Sequence, residues 1–374
     1  MVKVKSSAKR LNNWLKATNK LWLVSGALVT IMLIATAVIW QTKNSNNSAI
    51  SSKVVNVTDV CAQKNTISFT CYKVELNDIV DKHNSESAFA LLKQQYSSVP
   101  YVKSQCHQLV HVVGRAAYAK YGNLGDAFTH GDQFCWAGYY HGLMEQIADE
   151  RGTDKFLSSL NQNCASIANQ VRYSFDHYNC VHGQGHGVME ALKGDLFKAL
   201  KACDEVRDSW GRTSCYGGVF MQNIMIAQSP DETVDHTTAY LKNDQPMYPC
   251  TAVGTQYKDQ CYLMQTSHAL RVKNYDFGQV FGLCKQVEDA FRITCYRSLG
   301  RDASGQTVSD VEGTKLKCLL GPDVESRQYC VMGAVTDFVA YFHDDQKAKE
   351  LCASLPGELQ EKCYNAANST ASTF

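Results

Sequence analysis

FGLCKQVEDAFRITCYRSL, residues 281 to 299, places a charged and polar turn between two cysteines and resumes a helically spaced apolar pattern beyond the second. The layout returns in LKCLLGPDVESRQYCVMGAV, residues 316 to 335, and in ELCASLPGELQEKCYNAA, residues 350 to 367. With one preceding unit, the first cysteines are Cys250, Cys284, Cys318 and Cys352, each 34 residues after the one before. A strict period of that length is one helix-turn-helix unit, so the chain reads as all-α, an α-solenoid-like array of helical hairpins.

The cysteines also predict how the hairpins are held. All 16 follow residue 60, and from Cys164 onward they fall into near pairs: Cys164 with Cys180, Cys203 with Cys215, Cys250 with Cys261, Cys284 with Cys295, Cys318 with Cys330, and Cys352 with Cys363. A disulfide across each turn restricts the unfolded chain and contributes about 3 kcal/mol for loops of this size. Upstream, the spacing leaves the connectivity of Cys61, Cys71, Cys106 and Cys135 open, with Cys61 to Cys71 and Cys106 to Cys135 as one arrangement. Zinc sites usually contain C-x2-C to C-x4-C spacings, which this chain lacks, as it lacks the C-x-x-C-H of haem attachment. The period is that of tetratricopeptide-type repeats, and stapled hairpins resemble secreted Sel1-like repeat proteins in architecture. The pattern W-x2-L-G-x2-Y is missing from the units, so the resemblance assigns no family.

Working outward to the N-terminus, Lys3, Lys5, Lys9, Arg10, Lys16 and Lys20 put six positive charges and no acid in the first twenty residues. The remaining 31 basic residues (37 − 6) face 36 acidic ones, a net −5 that offers no basic footprint for nucleic acid. Residues 21–40 (LWLVSGALVTIMLIATAVIW) carry no charge and match the length of a membrane span, with Trp22 and Trp40 near its ends. The basic flank predicts a cytoplasmic N-terminus and a single-pass anchor, with the rest of the chain in an oxidising, extracytoplasmic compartment. The competing reading is a cleaved signal peptide ending at Ala35-Thr36-Ala37. Residues 41–58, rich in Asn, Ser and Thr, read as a flexible linker. Asn46, Asn56 and Asn368 stand in glycosylation sequons. The expected organisation is a basic tail over 1–20, the anchor over 21–40, the linker over 41–58, a histidine-rich helical region over 59–195, cysteine-paired repeats over 196–366 and a disordered tail over 367–374.

Chemistry concentrates in the first of the two helical regions. Seven of the 11 histidines fall between His107 and His186, including His130 and His177. CWAGYYHGLME, residues 135 to 145, and CVHGQGHGVME, residues 180 to 190, share a skeleton of cysteine, five residues, then His-Gly-x-Met-Glu. His141 and His186 stand six residues after their cysteines and His111 five after Cys106, which predicts similar heights on successive helices. His107 with His111, His182 with His186, His141 with Glu145 and His186 with Glu190 are i,i+4 pairs, which share one helix face. Facing helices with such pairs can build a metal site, with His107, His111, His141, His182 and His186 as ligands and Glu145 and Glu190 as further ligands or catalytic bases. Zinc, iron and copper all suit such donors. The competing reading is a set of buried, hydrogen-bonded histidines beside glycines that permit close helix packing. The later units hold Met221, Ser267, Arg301 and Thr336 at the plus-six position, so the hairpin itself does not require histidine there.

Several enzyme classes are excluded. His107-Gln108-Leu109-Val110-His111 resembles the zinc-protease motif H-E-x-x-H but has glutamine where that chemistry needs its general base. There is no G-x-S-x-G elbow and no P-loop. Arg115, Asp176, Tyr139, Tyr140 and Tyr173 are candidate neighbours of the imidazoles, whereas Tyr216, Tyr262, Tyr296 and Tyr364, each beside a cysteine, read as packing residues. The expectation is a membrane-anchored extracytoplasmic repeat protein with a His/Glu metal site, and its competitor is a non-catalytic tethered module that binds a protein or an envelope polymer.

Overall fold

A computed structural model of the protein describes residues 54–171, 174–229, 238–342 and 344–371. The anchor expected over residues 21–40 and the basic tail lie outside the described residues. Among the described residues no helix is long and apolar enough to cross a membrane. Residues 54–59 carry no regular structure, and beyond them the described residues form helices joined by turns, with no strand among them.

The first helices are α1 (Val60–Gln63), α2 (Phe69–Lys82), α3 (Ser85–Tyr96), α4 (Pro100–Tyr121), α5 (Leu124–Thr129), α6 (Gly138–Arg151) and α7 (Thr153–Ser158). After a 3-10 turn follow α8 (Phe175–Ala191), α9 (Leu196–Cys203), α10 (Ser209–Gln228), α11 (Thr255–Val272), α12 (Phe277–Lys285), α13 (Asp289–Thr307), α14 (Val311–Cys318), α15 (Val324–Ala340), α16 (Asp345–Ala353) and α17 (Gly357–Ala371). The long helices α4, α6, α8, α10, α11, α13, α15 and α17 pack each on the next as an inner row, and the short ones such as α9, α12, α14 and α16 cover them from outside. Because α8 packs on α10, the array runs unbroken through residue 195, and residues 54 onward form one compact unit.

Local chemistry explains the hairpins. Asp276, Asp310 and Asp344 cap α12, α14 and α16, each accepting from the backbone N–H three residues on, a contact that contributes about 1 kcal/mol per helix. The inner helices begin about six residues before the second cysteine rather than at it, because Asp208 and Asp323 cap them inside the polar turn. The disulfides from Cys164 onward join the pairs read from the spacing, and upstream the bridges are Cys61–Cys71 and Cys106–Cys135, all with Cα atoms 5.3 to 6.0 Å apart. Eight bridges point to an oxidising compartment. The final helix runs to Ala371, so most of the stretch expected as a disordered tail is ordered. Ala366 and Ala367 are buried in it just beyond the Cys363 bridge.

The inner row curls until the turn before α6 meets the segment just past α15. Cys135, Trp136 and Ala137 all have left-handed backbone (φ 56°, 57° and 57°), a conformation that costs about 1–2 kcal/mol per residue. This turn throws the Trp136 indole against Phe342, just past α15, with ring centroids 5.5 Å apart. The curl borders a half-open cavity of about 640 Å³. His107 and Trp136 lie on one wall, and Met221, Ser267, Arg301 and Thr336, the plus-six residues of the later units, line it too. The plus-six register is therefore the inner face of the coil.

Candidate metal centre

α4, α6 and α8 bring the five candidate histidines together. Their close approach depends on glycine. A Cβ on Gly142 of α6 would stand 2.1 Å from the His111 carbonyl oxygen of α4, and one on Gly185 of α8 would stand 2.2 Å from the Cys215 carbonyl oxygen of α10. With hydrogen in those places, neighbouring backbones touch and the imidazoles between them are confined to one layer. Neighbouring ring centroids are 4.7 Å apart for His107 and His111, 5.3 Å for His111 and His141, 4.4 Å for His141 and His186, and 5.4 Å for His182 and His186.

Three overlapping groups have donor atoms all within 4.8 Å of one another: His107, His111 and His141; His141, His182 and His186; and His111, Glu145 and His186. These groups are placed to hold a metal ion. His111, His141 and His186, the three aligned by their distance from cysteine, do meet, but pairwise through these groups rather than as one of them. All but His107 are buried, and His107 shows its edge to the cavity. Asp59, Cys61 and Glu75 also converge, but Cys61 is in a disulfide and the carboxylates are engaged by Tyr72 and by backbone amides.

Hydrogen bonding assigns the ring protons. His107 Nδ1 lies 2.8 Å from the Cys135 carbonyl oxygen, which only accepts, so Nδ1 carries the proton and Nε2 keeps its lone pair. His111 Nδ1 donates to Glu145 Oε1 at 3.0 Å. Burial would raise the Glu145 pKa, but the His111 ring, its hydrogen bond and the Arg115 guanidinium outweigh that and hold the carboxyl well below the usual range. The two Nε2 atoms then face each other 3.2 Å apart. A positive charge belongs between them, and a metal ion would supply it. Two imidazole nitrogens bound to one ion at 2.0–2.1 Å stand about 2.9–3.4 Å apart for bond angles near 90–110°.

The inner side of the cluster is similarly prepared. His186 Nδ1 donates to Gln222 Oε1 at 2.7 Å, and His182 is bonded to the Ser214 backbone with the Tyr178 hydroxyl 3.4 Å from its Nδ1. Outer partners of this kind fix the ring orientation of ligating histidines. The opposite atoms, His186 Nε2 and His182 Nε2, are buried without a partner, as is His141 Nδ1. Burial, reinforced by the neighbouring imidazoles, lowers the histidine pKa values: His107 to about 3, His182 to about 4, and His141 and His186 well below the usual value. The rings are thus neutral bases at physiological pH, the form that binds metal.

Glu190 is outside the three groups. It sits near Glu145, Asp149 and Arg115, and burial together with the Glu145 charge raises its pKa. Arg115 ties Glu145 (3.3 Å) to Asp149. Of the other expected neighbours, Tyr139 donates to the Ala127 carbonyl, Tyr140 packs against Phe128, and Tyr173 lies outside the described residues. His130 pairs with Glu86 and His177 packs on Trp210, both away from the cluster. Gln222, Ser214 and the Trp136 turn carry no signal in the sequence, because their roles arise only across helices. Comparison with protein-family models, with curated proteins and with solved structures finds no match to the chain.

Proposed function

We propose that the protein is a membrane-anchored, extracytoplasmic metalloprotein whose histidine centre holds a first-row transition-metal ion (zinc, iron or copper) at the wall of a half-open cavity. The observation that carries this reading is the pair of Nε2 atoms of His107 and His111, 3.2 Å apart with both Nδ1 atoms committed to acceptors. Nitrogen donors and no thiolate suit these ions better than magnesium or calcium. A three-histidine set leaves coordination positions free, and His107 borders a cavity large enough for a small-molecule substrate. An ion there would act as a Lewis acid or activate bound water. Glu145 orients His111, and Glu190, with its raised pKa, is the group we assign to proton transfer near the centre.

The test is elemental analysis of the purified full chain before and after chelation and reconstitution. At least one metal ion per chain is expected, with the content reduced in His107→Ala and His111→Ala while the helical circular dichroism is retained. A chain that stays metal-free after exposure to zinc, iron and copper in turn refutes the reading. The second reading, a tethered binding module for a protein or envelope polymer, is favoured by Leu316, Leu320 and Val324, each more than half exposed around the α14–α15 turn.

A further inference from the structure

Resting on that metal-centre reading, we propose that the centre takes two divalent ions, one among His107, His111 and His141 and one among His141, His182 and His186, with the His141 imidazole shared between them.

An ion that binds nitrogen at 2.0–2.1 Å cannot hold two ligands more than about 4.2 Å apart. The five histidines do not form one group within 4.8 Å; they form two all-histidine groups that overlap at His141 alone, while His111 and His186 meet only in a third group completed by Glu145. A single ion would leave one group unused. Each group, moreover, is independently prepared. The first has its Nε2 pair turned towards each other beside the cavity. The second has three buried nitrogens without partners, His141 Nδ1, His182 Nε2 and His186 Nε2, far more unpaired polarity than a core tolerates when packing is its only purpose.

His141 is suited to be the shared residue. It comes from α6, which packs between α4 and α8, and its side chain has no hydrogen bond to any described residue that would reserve one nitrogen. Imidazole has two in-ring donors directed apart, so one ring can serve an ion on each side. Neutral His141 carries one ring proton. Binding both ions displaces it, one proton passes to solvent, and the imidazolate charge is balanced by the two cations. The outer ion borders the cavity, while the inner ion is sealed by residues that are at most 2 % exposed.

The experiment loads the chelated full chain with Cu²⁺, removes excess ion, counts copper per chain and records the electron paramagnetic resonance spectrum. The expected result is two ions per chain with the isolated-copper signal strongly diminished by exchange through the shared ring. His107→Gln and His182→Gln should each retain one ion and recover the full uncoupled signal. Circular dichroism confirms the fold of each, and His107, on the cavity wall, is the variant least able to disturb packing. One ion per wild-type chain at saturation, or two ions with undiminished uncoupled signals, overturns this inference and leaves the single-ion reading standing. No bound ion overturns both.

Discussion

Replacing Gly142 by alanine tests the packing that assembles the centre. The added Cβ would lie 2.1 Å from the His111 carbonyl oxygen and 2.9 Å from its carbonyl carbon and Cα, whereas ordinary contact begins at 3.4 Å. The shortfall is 3.4 − 2.1 = 1.3 Å, and every atom in the way is backbone, so α4 and α6 must separate. Overpacking of that kind costs up to about 3 kcal/mol, and the gain in helix propensity returns about 1 kcal/mol, for a net loss near 2 kcal/mol. Gly282 in α12 is the control, since a Cβ there meets nothing within 4 Å and the same substitution should stabilise by up to about 1 kcal/mol. The two variants should differ by about 3 kcal/mol in urea unfolding of the metal-free full chain, followed by circular dichroism with the disulfides intact. Zinc affinity should fall in Gly142→Ala and stay unchanged in Gly282→Ala, because only the first moves His111 from His141. Equal stability and equal affinity of the two would refute the claim that direct backbone contact between α4 and α6 sets the imidazole spacing.

Other outcomes follow from the same structure. Glu145→Gln removes the ionised acceptor from His111 Nδ1, and a lost outer partner of this kind typically lowers metal affinity about 10- to 100-fold, measurable by competition with a chromogenic chelator. Metal-free protein should lose stability on acidification. The unfolded chain takes up protons on His107, His141, His182 and His186 near pH 6.5, while the folded chain holds His107 neutral to about pH 3 and His182 to about pH 4, and keeps His141 and His186 neutral well below the usual value. Asp337 (raised to about 7) and Glu190 oppose this over the same window, but four histidines outnumber two acids, so urea midpoints should fall between pH 6.5 and 4.5; a flat profile would contradict the assignment of buried neutral imidazoles. Removing the Cys318–Cys330 bridge with paired serines should cost about 3 kcal/mol, read as a lower urea midpoint. A loss under 1 kcal/mol would show that the staple is redundant with the packing of α14 on α15.

The hairpins, their period and the six disulfides from Cys164 onward were legible in the sequence, because a 34-residue spacing, a polar turn between two cysteines and a helical apolar pattern are local signals that need no distant partner. Asp276, Asp310 and Asp344 repeat that period as helix caps and were equally open to reading. The i,i+4 spacing also put His107 with His111, and His182 with His186, on single faces, and counting from the cysteines brought His141 to their level. Tertiary structure alone decided the rest. Which nitrogen of each ring is free depends on Cys135, Glu145 and Gln222, reached across helix boundaries. That the C-terminal repeats wall the cavity, rather than merely carrying the array, depends on the curl that brings Trp136 to Phe342. Curl is the accumulated result of small packing angles between successive helices, and Gly142 and Gly185 influence those angles through contacts that no neighbour in sequence records.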